Sequence, residues 1–201
     1  MKLSRRSTNH VVYVPGLGGS FDWLRRLTLW TWPLQIGAKV HFAPMNWDDA
    51  AETAEQKYER LVGILLKVPN GKCVVVAESA GGGMGVRAFT ELPEIVTKLV
   101  TVCGKNRGAS SITARYDMRY PALKSAVMCA EQGFSELDHS RKKSITCLYS
   151  PGDKLLRSHD TTLPDCLNLS IGHEGHGRTI WKLLLMPRSH SFAKIVKSDI
   201  Q

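Results

Sequence analysis

The sequence predicts an α/β fold: a three-layer sandwich in which a mostly parallel six-stranded sheet carries helices on both faces. Short, β-rich apolar runs recur at His10 to Val14, Lys39 to Phe42, Cys73 to Ala77, Lys98 to Cys103, Ser144 to Tyr149 and Cys166 to Ile171. They lack the polar alternation of a strand with one wet face, which marks them as buried strands. Helix-like stretches separate them, as parallel βαβ connections require and hairpins do not. At 201 residues the chain can bury one substantial core but is too short for two, so a single domain over 1–201 is expected.

Taken in order, the first run ends in Pro15-Gly16-Leu17-Gly18-Gly19, a glycine-rich loop. The stretch after it holds Trp23, Leu24, Leu27, Trp30 and Trp32. Those side chains suit either an apolar acyl pocket or an amphipathic helix with its tryptophans in the core. From Asp49 to Lys67 an apolar stripe of Ala50, Ala54, Tyr58, Leu61 and Leu65 behind acidic first-turn residues predicts a helix. Ala80 to Leu92 predicts a second, stopped by Pro93. The segment 104–143 carries one clear helix, about Pro121 to Gln132, and reads as a short cap-like insertion able to flank a site.

Composition removes several classes. The apolar run behind Lys2, Arg5 and Arg6 is only Val11 to Val14, far short of a signal-peptide core, and no stretch approaches the ~20 apolar residues of a spanning helix. A cytoplasmic protein without a transmembrane segment is expected. Five cysteines (Cys73, Cys103, Cys129, Cys147, Cys166) form no CxxC pair and read as buried thiols in a reducing compartment. His173 and His176 are the only close pair of candidate metal ligands and lack partners nearby, so no metal and no cofactor are expected. Lys and Arg outnumber Asp and Glu by 27 to 18, a net charge of +9. The short clusters Arg5-Arg6, Arg25-Arg26 and Arg141-Lys142-Lys143 lie far apart, which fits a solvated basic surface with weak attraction to anionic surfaces and no specific nucleic-acid site.

The chemistry concentrates in three loops. Cys73-Val-Val-Val-Ala-Glu-Ser-Ala-Gly-Gly-Gly83 is a strand running into a glycine-rich turn and then a helix, with Ser79 at the turn. A serine there takes positive φ and needs small residues two places before and after, here Ala77 and Gly81. The loop after the first strand supplies backbone N–H groups; acyl transfer needs two such donors at a developing oxyanion, assigned to Leu17 and Ala80. Near the C-terminus, Asp153 follows the strand Ile145 to Tyr149, and His173 follows Leu167 to Ile171, giving the chain order Ser, Asp, His. His176 competes with His173, and Asp160 and Asp165 compete with Asp153, which alone sits in a Gly-Asp turn directly after a strand. His41, His139 and His190 read as surface or core residues.

These stretches resemble the α/β-hydrolase family from about Val11 to Leu185, and their arrangement is most similar to the small lidless bacterial lipases. The matching motifs are Pro15-Gly16-Leu17-Gly18-Gly19, Ala77-Glu78-Ser79-Ala80-Gly81 and Gly172-His173-Glu174-Gly175. The resemblance implies Ser79 as nucleophile, His173 as general base and Asp153 as the carboxylate that orients it. It implies a cytoplasmic hydrolase of carboxylic esters, an esterase or lipase acting on a small-molecule ester of short to medium acyl chain through an acyl-enzyme. Thioesterase, amidase or acyltransferase chemistry would use the same triad, and a non-catalytic binding protein could use the same fold. Two positions depart from the pattern: Pro15 and Glu78 stand where relatives often carry His. The second puts an acidic group beside the nucleophile and a lipase-like substrate range in question.

Overall fold

The computed structural model describes residues 9–187 and 192–197. The first eight residues, with Lys2, Arg5 and Arg6, and His190 lie outside them. Six strands, β1 (His10–Val14), β2 (Lys39–Phe42), β3 (Cys73–Glu78), β4 (Val96–Val102), β5 (Ile145–Tyr149) and β6 (Leu167–Ser170), form one sheet in the order β2-β1-β3-β4-β5-β6. Every pairing is parallel, with Val12 opposite Val75 and Val75 opposite Leu99 through the centre. The expected six-stranded three-layer sandwich is what the chain forms.

Side-chain alternation along the strands divides the core in two. Val12, Val14, Val75, Ala77, Leu99 and Cys147 pack on one face with α3 (Ala54–Leu65), α4 (Gly81–Glu91) and α6 (Pro121–Ser135). Val11, Tyr13, Val74, Val76, Val100 and Leu148 pack on the other with α1 (Asp22–Trp30), α2 (Trp32–Ile36), α9 (His176–Leu185) and α10 (Phe192–Lys197). Short helices α5 (Ala114–Arg119), α7 (His139–Lys142) and α8 (Ser158–Thr161) complete the connections.

Several expectations are corrected by packing. The central strands are largely buried, but the edge strands β2 and β6 are open to solvent, because among the described residues no strand pairs beyond them. The helix expected from Asp49 starts at Ala54. Thr53 accepts from the Gln56 N–H while the Gln56 side chain accepts from the Thr53 N–H, a capping box that fixes the start. Segment 104–143 holds three α-helices and a short 3-10 turn rather than one helix. Of these, α6 packs into the helix layer against α3 and α4, and a Cβ on Gly83 would meet the Ala126 backbone at 3.2 Å.

From β1 the chain steps outward to β2 and then crosses back to β3, so the switch point lies between the carboxyl ends of β1 and β3. Open α/β sheets place ligands in that crevice. The glycine-rich loop and Ser79 both project into it.

Candidate active site

Strand β3 ends at Glu78, and the next residue, Ser79, takes φ 48°. An L-residue holds that left-handed conformation only where its surroundings fix it. Here the Ser79 N–H donates to the Val102 carbonyl (3.1 Å), and the Ser79 carbonyl accepts from the N–H groups of Lys105 (2.7 Å) and Gly82 (2.9 Å). Close approach explains the small neighbours. A Cβ on Gly81 would sit 2.6 Å from the Val14 carbonyl oxygen, and one on Gly16 would sit 2.6 Å from Ser79 Cβ.

The side chain beside Ser79 Oγ belongs to His176, the first residue of α9: Nε2 lies 2.8 Å from Oγ and Nδ1 2.6 Å from Asp153 Oδ2. A carboxylate only accepts, so Nδ1 carries the proton and Nε2 is left to accept from the serine hydroxyl. The expected base, His173, is not there. Its side chain is exposed and its backbone carbonyl packs on Gly152. The loop turns at positive φ at both Gly172 (96°) and Gly175 (80°), and that path carries His173 past the crevice and delivers His176 into it.

Asp153 stands where the sequence places it, in the turn after β5. Its Oδ1 accepts from the N–H groups of Leu155 (2.8 Å) and Leu156 (3.0 Å). Burial alone would raise its pKa, but the bonds from His176 and these two amides outweigh burial and hold the carboxyl below its ordinary range. It is Asp153, not either competing carboxylate, that bonds His176. Asp160 is buried and paired with Lys105 (3.1 Å), whereas Asp165 is exposed.

Glu78 does not enter the crevice. Two residues beyond Val76, its side chain falls on the α1 face of the sheet, where it is 1% exposed. There it accepts from Tyr13 Oη and from the Gly16 N–H (3.0 Å) and pairs with Arg25 (2.6 Å). Arg25 also donates to the carbonyls of Leu17 (3.0 Å) and Gly18 (2.9 Å), so one buried charge pair clamps the glycine-rich loop against the elbow. Burial, reinforced by the Glu78 charge, pushes the Tyr13 hydroxyl well up, so it stays protonated and donating.

A cavity of about 140 Å³ opens beside Ser79. Its walls are largely apolar, from Leu17, Ile112, Tyr116, Leu123, Leu155 and Leu156, and its polar groups include the paired Lys105 and Asp160. Leu17 and Ala80 border it, and neither backbone N–H has a protein acceptor among the described residues. Sequence reading missed Lys105, which follows the carboxyl end of β4; its position on the same sheet edge as Ser79 was the available signal. The tryptophans after the loop line neither pocket nor core as a group: Trp32 is buried, while Trp23 and Trp30 face solvent.

The ligand atoms of Cys103, Asp153 and His176 lie within 4.8 Å of one another, close enough for a metal. The imidazole nitrogens are already engaged, however. Burial, aided by the Asp153 charge, pushes the Cys103 thiol up to about 12. Cys73 and Cys147 are buried as expected, but Cys129 is exposed and Cys166 half-buried.

The fold recurs in solved structures. The chain is similar over its length to Alpha/beta hydrolase domain-containing protein 10 from mouse (16% identity, 91% of this chain and 89% of that one, TM-score 0.62). The fold is that of the α/β-hydrolases. Similar too is Est816, an N-acyl homoserine lactone degrading enzyme (13% identity, 96% and 94% covered, TM-score 0.60). A third is a serine hydrolase involved in carbazole degradation (17% identity, 94% and 88% covered, TM-score 0.56). No protein-family model and no curated protein matches the chain. Among the described residues of this α/β-hydrolase fold, no helix is long and apolar enough to cross a membrane.

Proposed function

We propose that the protein is a serine hydrolase that cleaves carboxylic esters of short to medium acyl chain, with Ser79, His176 and Asp153 as its triad. The supporting observation is the unbroken hydrogen-bond chain from Ser79 Oγ through the His176 ring to Asp153, with the serine held at positive φ. In this reading Ser79 Oγ attacks the ester carbonyl carbon as its proton passes to His176 Nε2. Asp153 stabilises the imidazolium, and the N–H groups of Leu17 and Ala80 receive the oxyanion. Collapse of the tetrahedral intermediate expels the alcohol with the proton from His176. Water, activated by the same imidazole, then releases the acid.

The apolar cavity supports the acyl preference. A chain that outgrows it leaves methylenes in water, and each forfeits about 0.8 kcal/mol, so acyl chains of about two to eight carbons are favoured. Hydrolysis of p-nitrophenyl esters of graded length tests the reading. Turnover is expected to peak in that range and to fall on the order of 10⁴- to 10⁶-fold in Ser79→Ala. A variant keeping more than about a tenth of the activity, or a preference for long-chain triglycerides, would contradict it.

A further inference from the structure

The helix that follows the glycine-rich loop is turned the wrong way for an ordinary surface helix. On α1, Trp23, Leu27 and Trp30 recur at helical spacing on one face and are 66%, 57% and 80% exposed. Leu185, next to the residue whose carbonyl accepts from the Trp32 indole N–H (2.9 Å), adds another exposed apolar side chain at the end of α9. Large aromatic side chains are not left in water in a row without a use.

The charge around the row is one-sided. Between Asp22 and Asp48 the sequence has no acidic residue, and between Glu174 and Asp199 it again has none. These two stretches contain α2, α9, α10 and all of α1 after Asp22, the helix layer on this face of the sheet. Asp22 itself is bonded to Arg25 (2.9 Å). Exposed Arg26, Lys39, Arg178, Lys182 and Lys194 remain, of which Lys182 pairs with Glu174 (2.6 Å). On the opposite layer the charges are mixed, with Arg87 bridging Glu55 and Glu91.

We infer that this layer docks on an anionic lipid surface, with Trp23, Leu27 and Trp30 entering the interface and the basic side chains meeting the headgroups. Tryptophan and leucine on one side of a helix with cations around them is the chemistry that binds such a surface. A second copy of the chain is a poorer occupant, because a self-complementary contact would set two predominantly basic faces against each other. Both α1 and α9 start at the sheet edge that holds Ser79, and His176 is the first residue of α9, so docking brings that edge to the lipid.

The inference stands apart from the esterase reading and is tested without turnover. The protein is sedimented with vesicles of phosphatidylcholine, with and without phosphatidylglycerol, while tryptophan emission is recorded. Binding is expected only to the anionic vesicles, with a blue shift, and it should weaken as salt is raised. Trp23→Ser and Trp30→Ser should each weaken it about tenfold, in keeping with lost apolar burial, and Arg178→Glu/Lys194→Glu should weaken it too. Ser79→Ala should bind as the parent does, and circular dichroism confirms that each variant is folded. Equal binding to both vesicles, no binding, or tryptophan variants that bind like the parent would overturn the inference. So would a lipid-free dimer that the same substitutions abolish.

Discussion

A serine hydroxyl becomes a useful nucleophile only when a base of fixed geometry stands ready for its proton, and in the proposed function Ser79, His176 and Asp153, hydrogen-bonded in a chain, meet that need. Behind them, the buried Arg25–Glu78 pair acts through the loop rather than on substrate. Removing one partner leaves an unpaired buried charge, which costs about 3–5 kcal/mol, whereas removing both costs much less. Arg25→Met and Glu78→Leu should therefore each lower the urea unfolding midpoint strongly, and the double variant should recover most of the loss. The double variant should still fall in kcat with KM little changed, because the loop that carries the Leu17 N–H is no longer clamped. Asp153 gives a pH signature. Its carboxyl lies below its unfolded value of about 3.9, so the stability it contributes is fully present above that value and is lost as pH falls through the folded one. Asp153→Asn lacks that contribution, so its unfolding midpoint should fall less steeply than the parent's as the medium is acidified below about pH 4. At this scale the sequence was legible for the placement of Ser79 and Asp153, whose loops leave strands directly. It misled for the histidine, because two positive-φ glycines decide which of two nearby imidazoles enters the crevice, and spacing carries no record of φ.

At the scale of elements, β-branched runs announced the strands, and only their ends moved by a residue or two. Exposure of β2 and β6 was hidden because an apolar run reads the same at the edge of a sheet as at its centre. The late start of α3 was in fact written in Thr53 and Gln56, whose capping signature outweighs the acidic residues before it. Thr53→Ala should cost about 1 kcal/mol in urea unfolding while leaving ester hydrolysis intact, since the cap is remote from the crevice. A variant with unchanged stability would show that the cap does not set the helix start. Helix α1 was the hardest element to read, because its apolar face could equally fill a pocket or a core, and the structure turns it to solvent.

The whole molecule joins two halves of different character across one sheet. On one face, helices with paired charges close over the core that backs Ser79; on the other, a predominantly basic layer carries both the loop clamp and the row of exposed tryptophans. Parallel pairing was legible in the spacing of the strands, but the order of the sheet and the segregation of charge between layers were not, because they require knowing which strands are neighbours and which helices share a face. The most direct measurement is the mass of the intact protein, and of its peptides, after reaction with a fluorophosphonate. A single adduct on Ser79 is expected in the parent and in His173→Ala, and none on the same timescale in His176→Ala. An unlabelled parent, or a His176→Ala variant that labels as fast as the parent while His173→Ala does not, would contradict the triad of Ser79, His176 and Asp153.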